Sequence, residues 1–374
     1  MISSIRLQNF KGHRDTTVPL GRLTVLVGPN GAGKTSVLEA LAIQSRLALE
    51  SADDVFAADR SPVDICRRGG DAPLVIHTSG VSGNSISLKV DWSTETKVTL
   101  SSDPASWKFD FDWKYGNEGL TGTNRSQAFQ KSVPRVHESM GVATLYKLSA
   151  RSIAAAAYSD SADPHVGYDG TNTAVVLAAI KLGQDEDFAR IEQGIRVIIP
   201  NVERVRIKPA TVRVSVPKNI HIGAEQDVIG NKVFFDFRGA PNVPAHLASE
   251  GTLITLAVLT VLHGLNRPNV LLLDDFDQSL HPQAQIEMVR LLKRLLEEFP
   301  DLQIVATTHS PYILDELSPE DVVVFALRAD GSVATKRLSE HPQAAKMNDA
   351  LSAGQLWSLD PEADWVPSEA MAAQ

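Results

Sequence analysis

The sequence predicts an α/β protein with a mixed, largely parallel core sheet flanked by helices and an antiparallel β-rich subdomain. Three observations predict it. A glycine-rich loop at residues 28–35 lies between an apolar β-type run and a helical pattern. From residue 252 the chain alternates helix, strand, helix, strand, which implies parallel strands joined by helical crossovers. Residues 73–150 are richer in Thr, Ser, Trp and Val than in helix formers.

Each element has its own signal. Ile5, Leu7 and the ring of Phe10 form the apolar set of an opening strand. Residues 23–27, Leu-Thr-Val-Leu-Val, form a short β-rich run that ends at Gly28. Val37, Leu38, Leu41, Ala42 and Ser45 recur at helical spacing over 36–49. Short strands are expected at 73–79, 85–92, 96–101, 107–113 and 142–148, and helices at 172–182 and 185–198. Residues 202–217 read as a hairpin turning at Pro209-Ala210. The closing alternation comprises 252–265, 269–273, 282–298 and 302–306.

Bulk properties narrow the setting. The chain has 374 residues, 43% of them hydrophobic, enough for a large core. A single cysteine, Cys66, allows no internal disulfide and fits a reducing compartment. Residues 1–6 lack the basic and apolar regions of a secretory signal. The longest apolar run, Leu253 to Leu265, is too short to cross a bilayer. A cytoplasmic protein with no membrane partner is expected. The net charge of −9 argues against a broad basic surface for nucleic acid, though not against a local basic patch.

The chemistry is concentrated in four segments. Gly28-Pro29-Asn30-Gly31-Ala32-Gly33-Lys34-Thr35 fills the pattern G-x-x-x-x-G-K-[ST]. Glycines let backbone N–H groups turn toward phosphate oxygens, and the helix that starts near Gly33 adds its positive dipole end. Lys34 can then reach the β- and γ-phosphates, and the Thr35 hydroxyl can ligate Mg²⁺. Val270 to Leu273 is a buried parallel strand with Asp274 and Asp275 at its carboxyl end, where open α/β sheets bind ligands. Asp274 is the expected outer partner of Mg²⁺, and Asp275 the group that orients or deprotonates the attacking water. Leu302 to Ala306 is a second such strand, leading into Thr307-Thr308-His309-Ser310, with His309 placed to contact the γ-phosphate. Ser249 reads as the N-cap of the helix that follows. Plain capping and capture of a phosphate held by another subunit both fit that position.

These segments, in this order, resemble the ABC-type ATPase superfamily, closest to the branch of RecF, the SMC-type heads, and the OLD and related ATPases of prokaryotic defence loci. Ile5 to Gly12 is similar to the opening strand of that branch, and Gly28 to Thr35 to its Walker A, with Ser36 after it. Ser249-Glu250-Gly251-Thr252 resembles the signature segment, and Asp274-Asp275-Phe276-Asp277 resembles Walker B. Gln278-Ser279-Leu280-His281-Pro282 is similar to the D-loop, and Thr308-His309-Ser310-Pro311 to the switch histidine motif. Tyr168-Asp169-Gly170 and Ile198 to Val205 are similar to the middle of such ATPases. The likeness spans roughly residues 1–327, with core parts at 1–60 and 240–327, an inserted β/α region at about 61–239, and an extension at 328–374.

The resemblance implies a head-to-tail dimer with two Mg-ATP sites at its interface. Lys34, Thr35, Asp274, Asp275 and His309 would act from one copy, with Ser249 and Gly251 from the other. It further implies an ATP-hydrolysing switch in DNA maintenance or anti-phage defence, working with a separately encoded effector such as a nuclease. A non-hydrolysing ATP-locked scaffold and a RecF-like DNA-repair binder are the alternatives. Two departures matter: Asp275 stands where the family's catalytic Glu is usual, implying slow turnover, and Ala248 replaces a usual Leu. There is no coiled coil between residues 36 and 248, and the stretch after Ser310 is short for a TOPRIM nuclease domain. Residues 354–366, with Trp357 and Trp365, read as a docking tail. Arg204, Arg206 and Lys208, joined across the expected turn by Arg213, form a basic face that suits solvent, DNA phosphates or an acidic partner.

Overall fold

The computed structural model describes residues 1–47, 55–56, 64–69, 72–91, 96–103, 107–113, 141–215, 225–264, 266–344 and 350–367. Residues 48–49, 92, 216–217 and 265, which close four of the expected elements, lie outside the described residues. In chain order the first elements are β1 (Ile2–Phe10), β2 (His13–Pro19), β3 (Leu23–Val27), α1 (Lys34–Leu47), β4 (Leu74–Gly80), β5 (Ser85–Asp91), β6 (Thr96–Asp103), β7 (Trp107–Trp113) and β8 (Ala143–Tyr146). Then come α2 (Ala150–Ala154), α3 (Thr173–Gly183), α4 (Asp185–Ile198), β9 (Val202–Ser215), β10 (Glu225–Phe237), β11 (Ala240–Pro244) and α5 (Glu250–Leu262). The last are β12 (Val270–Leu273), α6 (Pro282–Glu298), β13 (Gln303–Thr307), α7 (Pro311–Leu314), β14 (Val322–Leu327), β15 (Val333–Arg337), α8 (Ala353–Trp357) and α9 (Glu362–Trp365). The chain divides into two compact units: residues 1–145, 269–274 and 296–374, and residues 146–268 and 275–295.

The first unit holds two six-stranded sheets. One is antiparallel, in the order β2-β1-β4-β5-β6-β7. Burial alternates along β4 and β5, as for a sheet with one face on the core. The other has the order β15-β14-β3-β13-β12-β8, with β14, β3, β13 and β12 parallel and β15 antiparallel at one edge. Every residue of β3, β12 and β13 is buried, which is why these strands read as unbroken apolar runs. Helix α1 packs against β1 and β4 of one sheet and β12 and β13 of the other. Its buried residues therefore run around the helix, from Val37, Leu38 and Leu41 to Ala40 and Ile43. Gln44 is buried there too, and its amide is satisfied by the Ile86 carbonyl at 2.8 Å and the Thr78 hydroxyl at 2.8 Å. At the C-terminal end, the buried Trp365 meets the His341 ring edge-on at 4.8 Å, and Lys336 Nζ donates to its carbonyl at 3.0 Å.

The second unit sets α3 and α4 against a three-stranded antiparallel sheet, β11-β10-β9, and packs α2, α3 and α4 around α5. Helix α5 is buried from Gly251 to Leu262, so its sequence shows no polar face. Helix α4 approaches it at Gly194, where a Cβ would sit 2.8 Å from the Leu259 side chain.

One expectation is overturned here. Residues 202–215 form a single strand, not a hairpin turning at Pro209-Ala210, and β10 is its partner from Val202 to Ser215. The reason lies in the pairing of Pro209 with Asn231. Asn231 uses both backbone groups on Ala157, at 2.9 and 2.8 Å, and so turns them away from β9. Pro209 therefore occupies a non-hydrogen-bonded position of an edge strand, where a missing N–H costs nothing. Period-2 geometry then puts Arg213 on the face opposite Arg204, Arg206 and Lys208, and the basic face does not extend to it.

Candidate functional site

The loop expected to cradle phosphate connects β3 to α1. Gly28 has φ 136°, and a Cβ there would lie 2.3 Å from the Phe325 carbonyl oxygen of neighbouring β14. Gly31 and Gly33 have φ 77° and 91°. Only glycine takes these angles without strain, so the spacing of the three glycines sets the loop's path. Pro29, Asn30 and Gly31 are exposed at the loop's crest, while Ala32 is buried beneath it. The loop delivers the chain to the first turn of α1, where Lys34, Thr35 and Ser36 sit. That turn carries no acidic residue. Its N–H groups lack intrahelical acceptors and its dipole end is positive, which together make an anion site.

Lys34 is buried, and its ammonium donates to the Gly28 carbonyl at 2.8 Å and the Pro29 carbonyl at 3.0 Å. It is thus held along the inner edge of the loop. Asp274, at the end of β12, is 4% exposed, and its Oδ1 accepts from the Thr35 and Thr307 hydroxyls, both at 2.8 Å. Burying a carboxylate is costly unless it is compensated, and these two hydroxyls contribute to that compensation. A hydroxyl and a carboxylate at this spacing form the oxygen donor set that Mg²⁺ takes alongside phosphate and water. Among the described residues no group of three or more His, Cys, Asp and Glu could hold a metal by itself. The Thr35 hydroxyl and the Asp274 carboxylate fit a magnesium ion that arrives with a nucleotide. Thr308 is buried, with its N–H on the Leu26 carbonyl at 3.2 Å and its hydroxyl accepting from Ser310 N–H at 3.0 Å. These bonds tie the segment after β13 to β3 and leave His309 exposed.

The second unit holds the remaining expected residues. Asp275 has φ 50°, a left-handed conformation unusual for a residue with a Cβ, and Lys147 Nζ lies 3.5 Å from its carboxylate. Ser249 caps α5: its Oγ accepts from the Thr252 N–H at 3.3 Å and lies 2.7 Å from the Thr252 hydroxyl. Ser249 and Glu250 are exposed, and Gly251 is buried. A Cβ on Gly251 would come within 2.9 Å of Leu280 Cδ2 and 3.1 Å of the Ser279 carbonyl. The Ser279 hydroxyl also donates to the Glu250 carboxylate. The Ser249–Thr252 segment and the loop at Ser279 and Leu280 thus lock together at the start of a 13-residue helix.

Comparisons with known proteins place the chain in a family. Residues 23–315 match a family model described as "AAA domain, putative AbiEii toxin, Type IV TA system". The chain belongs to this AAA-domain family. Septu protein PtuA of Bacillus thuringiensis is 35% identical over 69 residues, 18% of this chain and 17% of that protein. The OLD nuclease of Thermus scotoductus is 49% identical over 41 residues, 11% and 8% of the two chains. The Retron Vc95 probable ATPase of Vibrio cholerae is 23% identical over 135 residues, 36% and 24%. The matched stretches thus span less than a quarter of each of these relatives. An SMC head solved with the C-winged helix domain of ScpA superposes with a TM-score of 0.59 at 12% identity, covering 91% of this chain and 99% of that one. A Pyrococcus furiosus SMC head with an extended coiled coil gives 0.54 at 13%, covering 93% and 99%. These likenesses show the fold of an ABC-type ATPase head of the RecF/SMC/OLD branch.

Within this AAA-domain head, the structure brings Asp274 to Thr35, next to Lys34 at the start of α1. The sequence gives no role to Thr307, although it ends the apolar strand next to Asp274, nor to Lys147 or His13. The His13 imidazole is fully buried below the loop, with Nε2 3.1 Å from the Gly33 carbonyl. Burial lowers its pKa to about 4; the Gly33 carbonyl raises it in part, and the Arg67 charge lowers it further. The basic face on β9 is internally compensated. Arg206 Nε donates to Asp236 at 2.7 Å and Lys208 lies 4.8 Å from the centre of the Phe234 ring, while Arg213, on the opposite face, reaches Asp227 at 3.3 Å.

Proposed function

We propose that this chain is an ATP-driven switch that binds Mg-ATP on the Gly28–Thr35 loop and joins a second copy head-to-tail around it. The observation that carries the reading is the hydrogen-bonded triad of half-buried Thr35 with buried Asp274 and Thr307, beside a Lys34 that lines the loop. Lys34 exchanges loop carbonyls for phosphate oxygens, the stronger charge-assisted partners. Thr35 and Asp274 would hold Mg²⁺, which supplies charge neutralisation for the transferring phosphoryl group. Asp275 orients the attacking water, with His309 beside the γ-phosphate. Asp275 is one methylene shorter than Glu and shares its charge with Lys147, so turnover is slow.

Ser249 and Gly251 close the partner's site. The exposed Ser249 hydroxyl and the N–H groups of the first turn of α5 suit a γ-phosphate presented by another subunit. ATP then belongs to both surfaces and drives association, and hydrolysis removes the bridge. Kinship with a Septu protein, an OLD nuclease and a retron's probable ATPase supports a role in DNA maintenance or defence, with a separately encoded effector such as a nuclease. Light scattering with and without Mg-ATP tests the reading. Wild type should double in mass with Mg-ATP and Lys34→Ala should not; equal masses for the two proteins in both conditions would overturn it.

A further inference from the structure

The segment from Phe10 to His13 turns beneath the nucleotide loop and is fastened there from several sides. Lys11 pairs with Glu39 on α1, and Arg67 donates to the Gly12 carbonyl at 2.8 Å. Thr16 donates to the Val333 carbonyl at 3.2 Å, tying β2 to β15. Between these anchors the His13 ring fills the space under Gly33. A Cβ on Gly33 would lie 2.7 Å from His13 Nε2 and 3.1 Å from Val333 Cγ2, so the loop rests on the imidazole and on Val333. The Gly33 carbonyl can only accept, so Nε2 carries the proton. His13 Nδ1 is then a buried acceptor with no partner among the described residues. A buried polar atom left unsatisfied is costly, and such atoms call for an explanation.

We propose that His13 is a positioning residue of the nucleotide site, whose Nε2–H holds the Gly33 carbonyl and thereby aims the Gly33–Lys34 peptide at the phosphates. The inference rests on the nucleotide reading of the loop. The trans peptide is planar, so fixing the Gly33 C=O fixes the Lys34 N–H in the opposite direction. That N–H opens the row at the start of α1. The helix itself holds this carbonyl weakly, because Val37 N–H reaches it only at 3.3 Å. Gly33, at φ 91°, has no side chain of its own to stiffen the turn. His13 supplies the missing restraint from the far side of the loop. Its lowered pKa keeps the ring neutral near pH 7, so it adds a donor without adding a charge.

The test separates the hydrogen bond from packing. Mg-ATP is titrated by calorimetry into the full chain of wild type, Lys34→Ala, His13→Met, His13→Gln, His13→Asn and Val333→Ala, with thermal melts alongside. His13→Met keeps an apolar body and loses the donor, and it should weaken binding about tenfold, the worth of one oriented hydrogen bond. Gln places its amide nitrogen near the position of Nε2 and should restore binding to within about threefold of wild type. Asn is one carbon shorter and should bind like Met, which keeps the test intact if Met fails to fold. Val333→Ala removes packing beneath the loop and no hydrogen bond, so it should lower the melting temperature and weaken ATP binding less than His13→Met does. The proposal is overturned if Met and Asn bind as wild type, if Gln is as weak as Asn, or if Val333→Ala weakens ATP as much as the His13 variants do. If wild type itself binds no better than Lys34→Ala, the nucleotide reading falls, and this inference falls with it.

Discussion

Acid should destabilise this protein through His13, by an amount that follows from its burial. The ordinary imidazole pKa of 6.5 falls to about 4 in the folded chain. The unfolded chain therefore takes up a proton on acidification before the folded one does, and stability is lost as pH falls. Above pH 6.5 both states are neutral and the effect is absent. It grows as pH falls from 6.5 toward 4 and stays constant below that. A tenfold difference in proton affinity between the two states is worth about 1.4 kcal/mol, so the full cost is about 3 kcal/mol, of which about 2 kcal/mol is present at pH 5. That is a large share of the ~5–15 kcal/mol that holds a domain folded. The assay is urea unfolding followed by tryptophan fluorescence at pH 7.5 and pH 5, for wild type and His13→Gln. Other titrating groups contribute alike to both proteins and cancel in the double difference. Wild type should lose about 2 kcal/mol more than His13→Gln between the two pH values. A double difference near zero, or one of opposite sign, would refute a buried neutral imidazole beneath the loop.

Four further outcomes are expected. Thr35→Ala removes a hydroxyl that donates to Asp274, and its Mg-ATP affinity should fall about tenfold toward the metal-free value, as read by calorimetry with and without Mg²⁺. Gly28→Ala forces a Cβ to 2.3 Å from the Phe325 carbonyl at φ 136°, so thermal melts should show a loss of ~2–3 kcal/mol. Asp275→Asn should reduce phosphate release about a hundredfold while leaving Mg-ATP affinity within about threefold, because it removes only the group that handles water. Charge reversal of Arg206 should lower stability through the loss of Asp236 as a partner, and should leave the salt dependence of any DNA binding unchanged.

The nucleotide loop is legible in the sequence because its conformation selects its residues. Gly28, Gly31 and Gly33 all stand at positive φ, and a change of residue type at any of them would show. The buried strands β3, β12 and β13 are equally legible, because burial on both faces leaves an unbroken apolar run. Ser249 reads as a cap because short-range bonding to Thr252 is a local matter. What stays hidden depends on distance along the chain. Pro209 looks like a turn until Ala157 is seen to occupy the Asn231 backbone groups, which leaves β9 a place for a residue without an N–H. His13 is an isolated histidine until the fold brings it under Gly33, and Lys147 is one surface lysine among many until the fold brings it to Asp275. Thr307 lies within sight of Asp274 in the expected strand order, and a polar residue ending a buried strand beside a carboxylate is the available signal.

The claim that each nucleotide site needs two copies is tested most directly by mixing two inactive proteins. Lys34→Ala spoils the loop and keeps Ser249, while Ser249→Arg keeps the loop and blocks the partner's phosphate. Each alone should release phosphate at background. In an equal mixture, half the dimers carry one site with an intact loop facing an intact Ser249, so release should return to about a quarter of the wild-type rate. A mixture no more active than its two components would contradict a site shared between subunits.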